Sequence, residues 1–347
     1  MSDLVAPASP SPRIASWDHP LAEPNIEDAS IVHKLAALAR VPGLGRVETA
    51  YRQRFRLKSW QYMTAVSDDL FVAFAVGTAG FASNGFVYAA ELPSGRVHER
   101  FAITPLTFGT KVAPSSTAGE HRFATRGMRV EIENREAGRR FTARLGARTS
   151  AGGQLEGELE LASGAADDHH AVCIPLPGGR WNYTHKFAAF SVTGHVTIDG
   201  RRFTFAPARS FGTMDFTKMY ALRHAVWRWV ALCGKSRQGA VIGLNLVDPT
   251  PVAPISENAL WIDGRCEPLA NVQLAPSPGS GWHASADSVD LSMREISHVA
   301  QQLDLPLVRN RLRHVVGSFS GRVRTASGHV HDLDSIVGIA EDYDAWW

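Results

Sequence analysis

Short segments of alternating apolar and polar residues recur along most of this chain, and they constrain its fold more than any other feature of the sequence. From residue 47 onward these segments are separated by dipeptides that favour tight turns: Ser94-Gly95, Ala137-Gly138, Gly152-Gly153, Asp199-Gly200, Asp263-Gly264 and Ser327-Gly328. A period of two residues is typical of strands that bury one face. The pattern therefore predicts a mainly β protein, a barrel or sandwich of antiparallel strands, and disfavours repeated β-α-β units.

The amino-terminal part of the chain follows a different pattern. Five prolines within residues 1–24 predict a loosely packed arm. Residues 26–41 carry Ile31, Leu35 and Leu38 at helical spacing, and Pro42-Gly43 would end a helix there. We expect a short helix that packs on the body of the protein, because its polar face is not basic enough for a membrane surface.

The length of 347 residues suggests about two domains, each of roughly 100–200 residues. The segment IPLPGGRW at residues 174–181 combines two prolines with paired glycines and predicts the boundary between them. The expected organisation is an arm and helix at residues 1–46, a first β-domain at residues 47–177 and a second at residues 178–347.

Composition excludes several classes of function. The basic residues number 36 and the acidic residues 34, so no strong positive field favours nucleic acid. No window approaches 18 uncharged apolar residues, and no signal-peptide pattern or nucleotide-binding glycine motif occurs. The cysteines are odd in number and lie among apolar residues, which favours reduced thiols and a cytoplasmic location. We expect no cofactor and no integral membrane association; the oligomeric state stays open.

Residues 210–234 mix charged and aromatic side chains into an otherwise apolar run, as expected of a lined cavity. Asp215 and His224 are the candidate catalytic pair, because a carboxyl group beside an imidazole in an apolar pocket can transfer protons. Tyr220, Trp227 and Trp229 are candidates for the cavity wall. The structural alternative is that Asp215 caps a turn and His224 pairs with it.

Two neighbouring segments supply further candidates for substrate binding. Trp181, Tyr183 and His185 alternate along one predicted strand and share a face, whereas Lys186 is expected to point the other way into solvent. Glu257 and Asn258 precede a predicted hairpin and would either orient a substrate or satisfy backbone groups at a strand end.

Two histidine pairs raise the possibility of a metal site, because imidazole is a common metal ligand. They are His169-His170 and His329-x-His331. No third ligand follows at a suitable spacing, so we expect no metal.

The order of motifs resembles a known family. These motifs are WNYTHKFAAFSVTGHVTIDGRRFTF, SFGTMDFTKMYALRHAVWRWVALCG, GAVIGLNLVD, ENALWIDG and GIAEDYDAWW, with LKSWQYMTAVSDDLFVAFAVGTAGFASNGFVYAAEL in the first half. They resemble the bacterial family called domain of unknown function 2804. That family is similar to the double-lipocalin proteins typified by AttH and carotenoid 1,2-hydratase, and more distantly to tocopherol cyclase and lipocalin-like Diels–Alderases.

The resemblance implies two antiparallel lipocalin-like barrels, at residues 47–177 and 178–347, and a cavity for a small hydrophobic or amphipathic ligand. It supplies no assigned reaction. Taken with the residue pattern, it suggests acid–base chemistry without a cofactor, such as hydration, dehydration, isomerisation or cyclisation. The alternative is a carrier or sensor that binds a lipid-like ligand without changing it.

Overall fold

The computed structural model describes residues 4–5, 11–31, 33, 35–249, 255–277, 281–306 and 308–346. Antiparallel strands make up most of this part of the chain, as the alternating pattern predicted. The strands of the first sheet are β1 (Ala15–Trp17), β2 (Leu57–Val66), β3 (Leu70–Thr78), β4 (Ala82–Glu91), β5 (Val97–Pro105), β6 (Thr110–Lys111), β7 (Gly119–Thr125), β8 (Met128–Arg135), β9 (Arg140–Arg148), β10 (Gln154–Ala162), β11 (His170–Leu176), β12 (Arg180–Ile198), β13 (Arg201–Phe205) and β14 (Phe211–Tyr220).

The second sheet begins directly after the first. Its strands are β15 (His224–Lys235), β16 (Val241–Asp248), β17 (Ala259–Ile262), β18 (Arg265–Pro268), β19 (Gln273–Ser277), β20 (Gly281–Ala286), β21 (Val289–Asp304), β22 (Arg309–Arg324) and β23 (Val330–Trp346). Each sheet curls into a half-barrel, so the predicted double-barrel fold of the lipocalin-like type is confirmed.

The change of sheet does not coincide with the predicted division at residues 177 and 178. Strands β11 and β12 flank that point and are paired with each other in the first sheet, in a register that joins Leu176 to Arg180. The Pro-Gly-Gly segment is a hairpin turn between them. The chain passes to the second sheet only at residues 221–223, after β14. The prediction failed because a turn signal does not distinguish a hairpin from a domain boundary.

The short amino-terminal helix is confirmed, but it lies later than predicted. Helix α1 (Gly45–Tyr51) follows the Pro42-Gly43 pair and continues into a π turn (Arg52–Arg56). Within residues 26–41 the described residues form 3₁₀ turns at Ile26–Asp28 and Ala36–Arg40, and residues 32 and 34 lie outside the described residues. A further 3₁₀ turn spans Glu136–Gly138.

Packing explains why residues near position 26 do not form a continuous helix. Ile26, Ala29 and Ile31 are buried against the outer face of the first sheet. The Arg52 guanidinium donates hydrogen bonds to the backbone carbonyls of Glu27 and Ala29, which an α-helix would have used internally. Burial of large apolar side chains, worth about 1.5–3 kcal/mol each, outweighs local helix propensity here.

The two sheets approach each other closely where β12 of the first meets β16 of the second. A Cβ atom at Gly243 of β16 would lie 1.8 Å from the carbonyl oxygen of Ala188 of β12, so only glycine allows this contact. An apolar cluster fills the space between the sheets and includes Phe71, Tyr88 and Val316. The sheets therefore form one packed unit with a shared interior.

No helix among the described residues is long and apolar enough to cross a bilayer.

Candidate functional site

A cavity of about 270 Å³ lies between the two sheets and takes its walls from both. It is mostly aromatic and aliphatic, with a few charged groups. The residues that line it include Lys58, Trp60, Tyr62, Gly77, Asn182, Lys186, Asp215, Thr217, Met219, Trp227, Trp229, Glu257, His314, Glu341 and Tyr343.

Strand register explains which residues of the first sheet reach the cavity. The pairing places Lys186 of β12, Asp215 of β14 and Tyr62 of β2 side by side. One row nearer the mouth, the same strands contribute Thr217 and Trp60. Since successive side chains alternate between faces, these two rows face the same side.

The second sheet faces them with rows of its own. Trp229 of β15 pairs with Glu341 of β23, which pairs in turn with His314 of β22. In the next row, Trp227 pairs with Tyr343.

The aromatic side chains of the two sheets meet across the cavity. The Trp60 and Trp227 rings are stacked with centroids 6.4 Å apart, and Trp227 stacks on Tyr343 at 4.0 Å. Tyr62 meets Trp229 edge-on at 5.1 Å. Gly77, opposite Trp60 on β3, leaves space for this arrangement, because a Cβ there would lie 3.3 Å from the Trp60 Cβ.

Asp215 lies on the cavity wall, and its carboxylate is held by several donors. Lys186 Nζ lies 2.8 Å from Oδ1, and the Trp60 indole N–H donates to Oδ2 at 3.0 Å. The hydroxyl groups of Thr217 and Thr184 lie 2.8 and 3.2 Å from Oδ1. Donors of this kind stabilise the ionised form of a carboxyl group.

The sequence analysis placed Lys186 on the wrong side of the solvent boundary. The expectation that it would be solvated is wrong: it is 3% exposed, and its ammonium bridges Asp215 and Glu257, the latter at 2.9 Å. Burial acts to lower the pKa of Lys186, but the two carboxylates outweigh it and the pKa ends above its ordinary value. Strand β12 is covered on both faces, so alternation does not expose either set of side chains.

Glu341 supplies a second buried carboxylate, on the opposite wall. His314 Nε2 is hydrogen-bonded to Glu341 Oε2, and the Trp227 indole N–H donates to Oε1 at 2.5 Å. The sequence contains this glutamate in the closing segment GIAEDYDAWW, where nothing distinguishes it from a residue that closes the last strand.

The phenol of Tyr62 lies between the two carboxylates. Burial raises its pKa well above the ordinary value, and Tyr88, Glu341 and Asp215 act in the same direction. Both carboxylates therefore act on the pKa of the same phenol, and all three residues line the same cavity.

The structure does not bring His224 to Asp215. His224 lies exposed at the start of β15, where it pairs with Asp344 at 2.9 Å and stacks on Trp346. It is absent from the cavity wall. The predicted pairing is therefore replaced by the contact between Asp215 and Lys186, because β14 and β15 belong to different sheets.

Several predicted binding residues lie on the other face of their strands. Tyr183 and Tyr220 pack under the amino-terminal segment, where Tyr183 accepts a hydrogen bond from the Leu21 N–H and Tyr220 contacts Arg52. Trp181 packs against the same cluster. Alternation placed Trp181 and Tyr183 correctly on one face of their strand, but that face is opposite to the cavity.

His185 also lies on that face, within a buried chain of polar groups. Its Nδ1 is 2.8 Å from Ser116 Oγ, and its Nε2 is 2.7 Å from His169 Nδ1. Burial lowers the pKa of both imidazoles, that of His169 to about 3. The described residues contain no group of three His, Cys, Asp or Glu side chains placed to hold a metal ion.

The remaining candidates divide in the same way. Trp227, Trp229 and Glu257 line the cavity, and their role in binding stays a prediction. Asn258 does not: its side-chain carbonyl accepts the Val247 N–H at 2.6 Å, the strand-end role that the sequence left open.

Two solved structures are similar in fold. Kievitone hydratase from Nectria haematococca is 10% identical, with a TM-score of 0.46 over 82% of this chain and 88% of that chain. A protein assigned as AttH from Nitrosomonas europaea is 11% identical, with a TM-score of 0.49 over 84% of this chain and 93% of that chain. No curated protein matches the chain.

The family comparison is more direct than these structural likenesses. A family model described as a domain of unknown function, DUF2804, matches residues 37–347 and so covers α1, every cavity residue named above and all strands of both sheets except β1. The chain belongs to the DUF2804 family.

Proposed function

We propose that this protein binds an apolar or amphipathic small molecule in the cavity between its sheets and transfers a proton to or from it with its own side chains. One observation carries the proposal: two buried carboxylates from different sheets, Asp215 and Glu341, line the same aromatic cavity. Apolar walls with a few convergent polar groups are typical of small-molecule sites.

The two carboxylates would have different roles. The His314–Glu341 pair can hold a transferable proton, since imidazole both donates and accepts protons near neutral pH. Asp215, whose charge Lys186 stabilises, would act as the base or as a counter-charge. This changes the sequence prediction, in which Asp215 was the acid and His224 its partner.

Such an arrangement fits addition to or elimination from a carbon–carbon double bond. Protonation of the double bond by the His314–Glu341 pair would leave a cationic carbon, which the faces of Trp60 and Trp227 and the Asp215 carboxylate would stabilise. Addition of water, with its proton passing to Asp215, would give hydration. Loss of a different carbon-bound proton to Asp215 would give isomerisation.

A non-catalytic carrier is the second candidate, and one observation favours it. Lys186, Trp60, Thr217 and Thr184 already surround the Asp215 carboxylate, as in a purely structural ion cluster. In a carrier these contacts would only shape and rigidify the cavity.

A reducing, cytoplasmic location is part of the proposal. Cys173, Cys233 and Cys266 are free thiols, and burial raises the pKa of all three, which keeps them protonated and unreactive.

The first experiment is native mass spectrometry of the protein as purified, followed by identification of any retained ligand and incubation with it. We expect Glu341→Gln to lower turnover of that ligand by about 10²–10⁴-fold with little change in its affinity. Asp344→Asn, an exposed carboxylate of the same strand, is the matched control and should leave turnover unchanged. A ligand that binds tightly and is returned unchanged by the native protein would support the carrier instead.

A further inference from the structure

Positively charged side chains gather at one end of the cavity. Lys58 of β2 and Asn182 of β12 line it, in a row joined by the register through Met219 of β14. Arg180, two residues before Asn182, pairs with the cavity residue Leu176, and Arg56, two residues before Lys58, directly precedes β2. We call Arg56 and Arg180 the mouth arginines.

Strand pairing brings these cations close together: Tyr220 pairs with Leu57, next to Arg56, and the carbonyl of the following Ala221 accepts a hydrogen bond from Arg180. Burial, together with the charges of Arg56 and Arg223, lowers the pKa of Lys58 to about 7. Burial also lowers the pKa of Arg180, and Arg56 adds to the effect. Like charges held together destabilise one another unless an anion is present.

Backbone carbonyls at this end of the cavity accept hydrogen bonds from two of these cations. Lys58 Nζ donates to the carbonyl of Ala79 at 2.6 Å, and Arg180 Nη1 donates to that of Ala221 at 3.1 Å. Arg56 Nε is buried and has no hydrogen-bond acceptor among the described residues. Within the described part of the chain, neither mouth arginine forms a salt bridge.

The deeper cation of the same cavity is the useful contrast. Lys186 is compensated by two carboxylates, Asp215 at 2.8 Å and Glu257 at 2.9 Å. A buried donor without an acceptor costs about 1–3 kcal/mol. An acceptor from outside the protein would remove that cost at Arg56.

We propose that the ligand carries a negatively charged head group, a carboxylate or a phosphate, which the mouth arginines bind while its apolar part extends between Trp60 and Trp227. The inference rests on the proposed function and names its substrate class. Guanidinium groups match both kinds of oxyanion through paired N–H donors.

Strand geometry sets a length for such a ligand. Four residues separate Lys58 from Tyr62, whose row contains Asp215, and a strand rises about 3.3 Å per residue. The apolar part must therefore extend roughly 13 Å past the Lys58 row to reach the acidic groups. This length corresponds to a medium or long acyl or isoprenoid chain better than to a compact molecule.

The test compares three probes with the same chain and different head groups: dodecanoate, dodecyl phosphate and dodecanol. Calorimetric titration below the micellar concentration gives their affinities for the native protein and for Arg56→Gln, Arg180→Gln and Arg202→Gln. Arg202 is an exposed arginine of β13 outside the cavity and serves as the matched control.

We expect at least one anionic probe to bind about tenfold or more tightly than dodecanol, as charge-assisted hydrogen bonds predict. Either mouth variant should remove most of that preference without changing dodecanol binding, and Arg202→Gln should have no effect. The stronger of the two anions identifies the head group. Having two mouth variants keeps the test decisive if one of them fails to fold.

Two results would overturn the inference, and they are distinguishable. If dodecanol binds as tightly as both anions, or if the mouth variants weaken all probes equally, the anionic head group is wrong and the proposed function stands. If no probe binds, the apolar ligand of the proposed function fails together with it.

Discussion

The two walls of the cavity present the same motif with different partners. On the first sheet, an indole N–H of Trp60 donates to Asp215; on the second, that of Trp227 donates to Glu341. In both cases the tryptophan lies on a strand next to that of the acid, one row away. Asp215, however, is paired with an ammonium group, whereas Glu341 is paired with an imidazole.

In the proposed function, this difference gives Asp215 a fixed positive partner and gives Glu341 a partner that can exchange a proton. A lysine buried between two carboxylates stays protonated, so the first wall keeps its charge. In the proposed function, the hydrogen bond between His314 and Glu341 would let the second wall give up or take a proton. The two carboxylates thus occupy similar places on their sheets but have different partners, Lys186 for Asp215 and His314 for Glu341.

Lys186→Met should have the largest effect, because it leaves Asp215 and Glu257 buried without their cation. Removal of one partner from a buried ion cluster costs about 3–5 kcal/mol. Urea unfolding would measure this loss, with the exposed Lys235→Met as control at below about 0.5 kcal/mol. A Lys186→Met protein as stable as the native one would mean that the first wall does not depend on a fixed charge.

Acidification should destabilise the first sheet in particular. Burial lowers the pKa of His121 and His169 to about 3, with Arg139 contributing at His169, while an unfolded imidazole titrates near 6.5. The unfolded chain therefore binds protons first, so this stability is complete above pH 6.5 and is lost as the pH falls from about 6.5 towards 3.

Each of these imidazoles should cost about 2 kcal/mol between pH 7 and pH 5. Urea midpoints at the two pH values measure the total, and His121→Gln should reduce the difference by about 2 kcal/mol. An unchanged pH dependence in that variant would show that His121 is not buried in its neutral form.

Trp227→Phe and Trp60→Phe compare the two walls directly, since phenylalanine keeps the ring and removes the N–H donor. Glu341 would keep only His314 among the partners described above, whereas Asp215 would keep Lys186 and two threonine hydroxyl groups. We expect losses of about 2 and 1 kcal/mol in the free energy of unfolding, respectively. The opposite order would show that the first wall is the less well supported one.

His224→Ala should have the smallest effect. Its pair with Asp344 is exposed, and such pairs contribute about 0–1 kcal/mol. Both thermal unfolding and probe affinity should stay at native values. A marked loss of affinity would return His224 to the binding site.

The fold was largely predictable from the sequence because strand alternation and glycine turns are local signals. Two errors came from tertiary contacts. The segment near Ile26 exchanges internal hydrogen bonds for the Arg52 guanidinium, and the glycine pair at 178–179 makes a hairpin within one sheet. In both cases the predicted and the observed structure are compatible with the same local pattern of residue types.

The site was predictable only in part, for a related reason. Alternation groups Tyr183 with His185, and Trp227 with Trp229, but it does not say which group faces a cavity when both faces of a strand are buried. Lys186 was assigned to solvent because alternation places it on the face opposite Tyr183 and His185, and that face is buried as well. His314 and Glu341 come from the last two strands, and their meeting with Asp215 depends on sheet packing.

Neither sheet contains the whole candidate site, because each contributes one acidic group and one tryptophan of the cavity wall. Separation of the sheets at the mouth would admit a ligand and, in the same movement, pull Trp60 away from Trp227. In the proposed function, ligand exchange and assembly of the reactive geometry would therefore depend on the same movement. The rate at which the two halves part would set an upper limit on turnover.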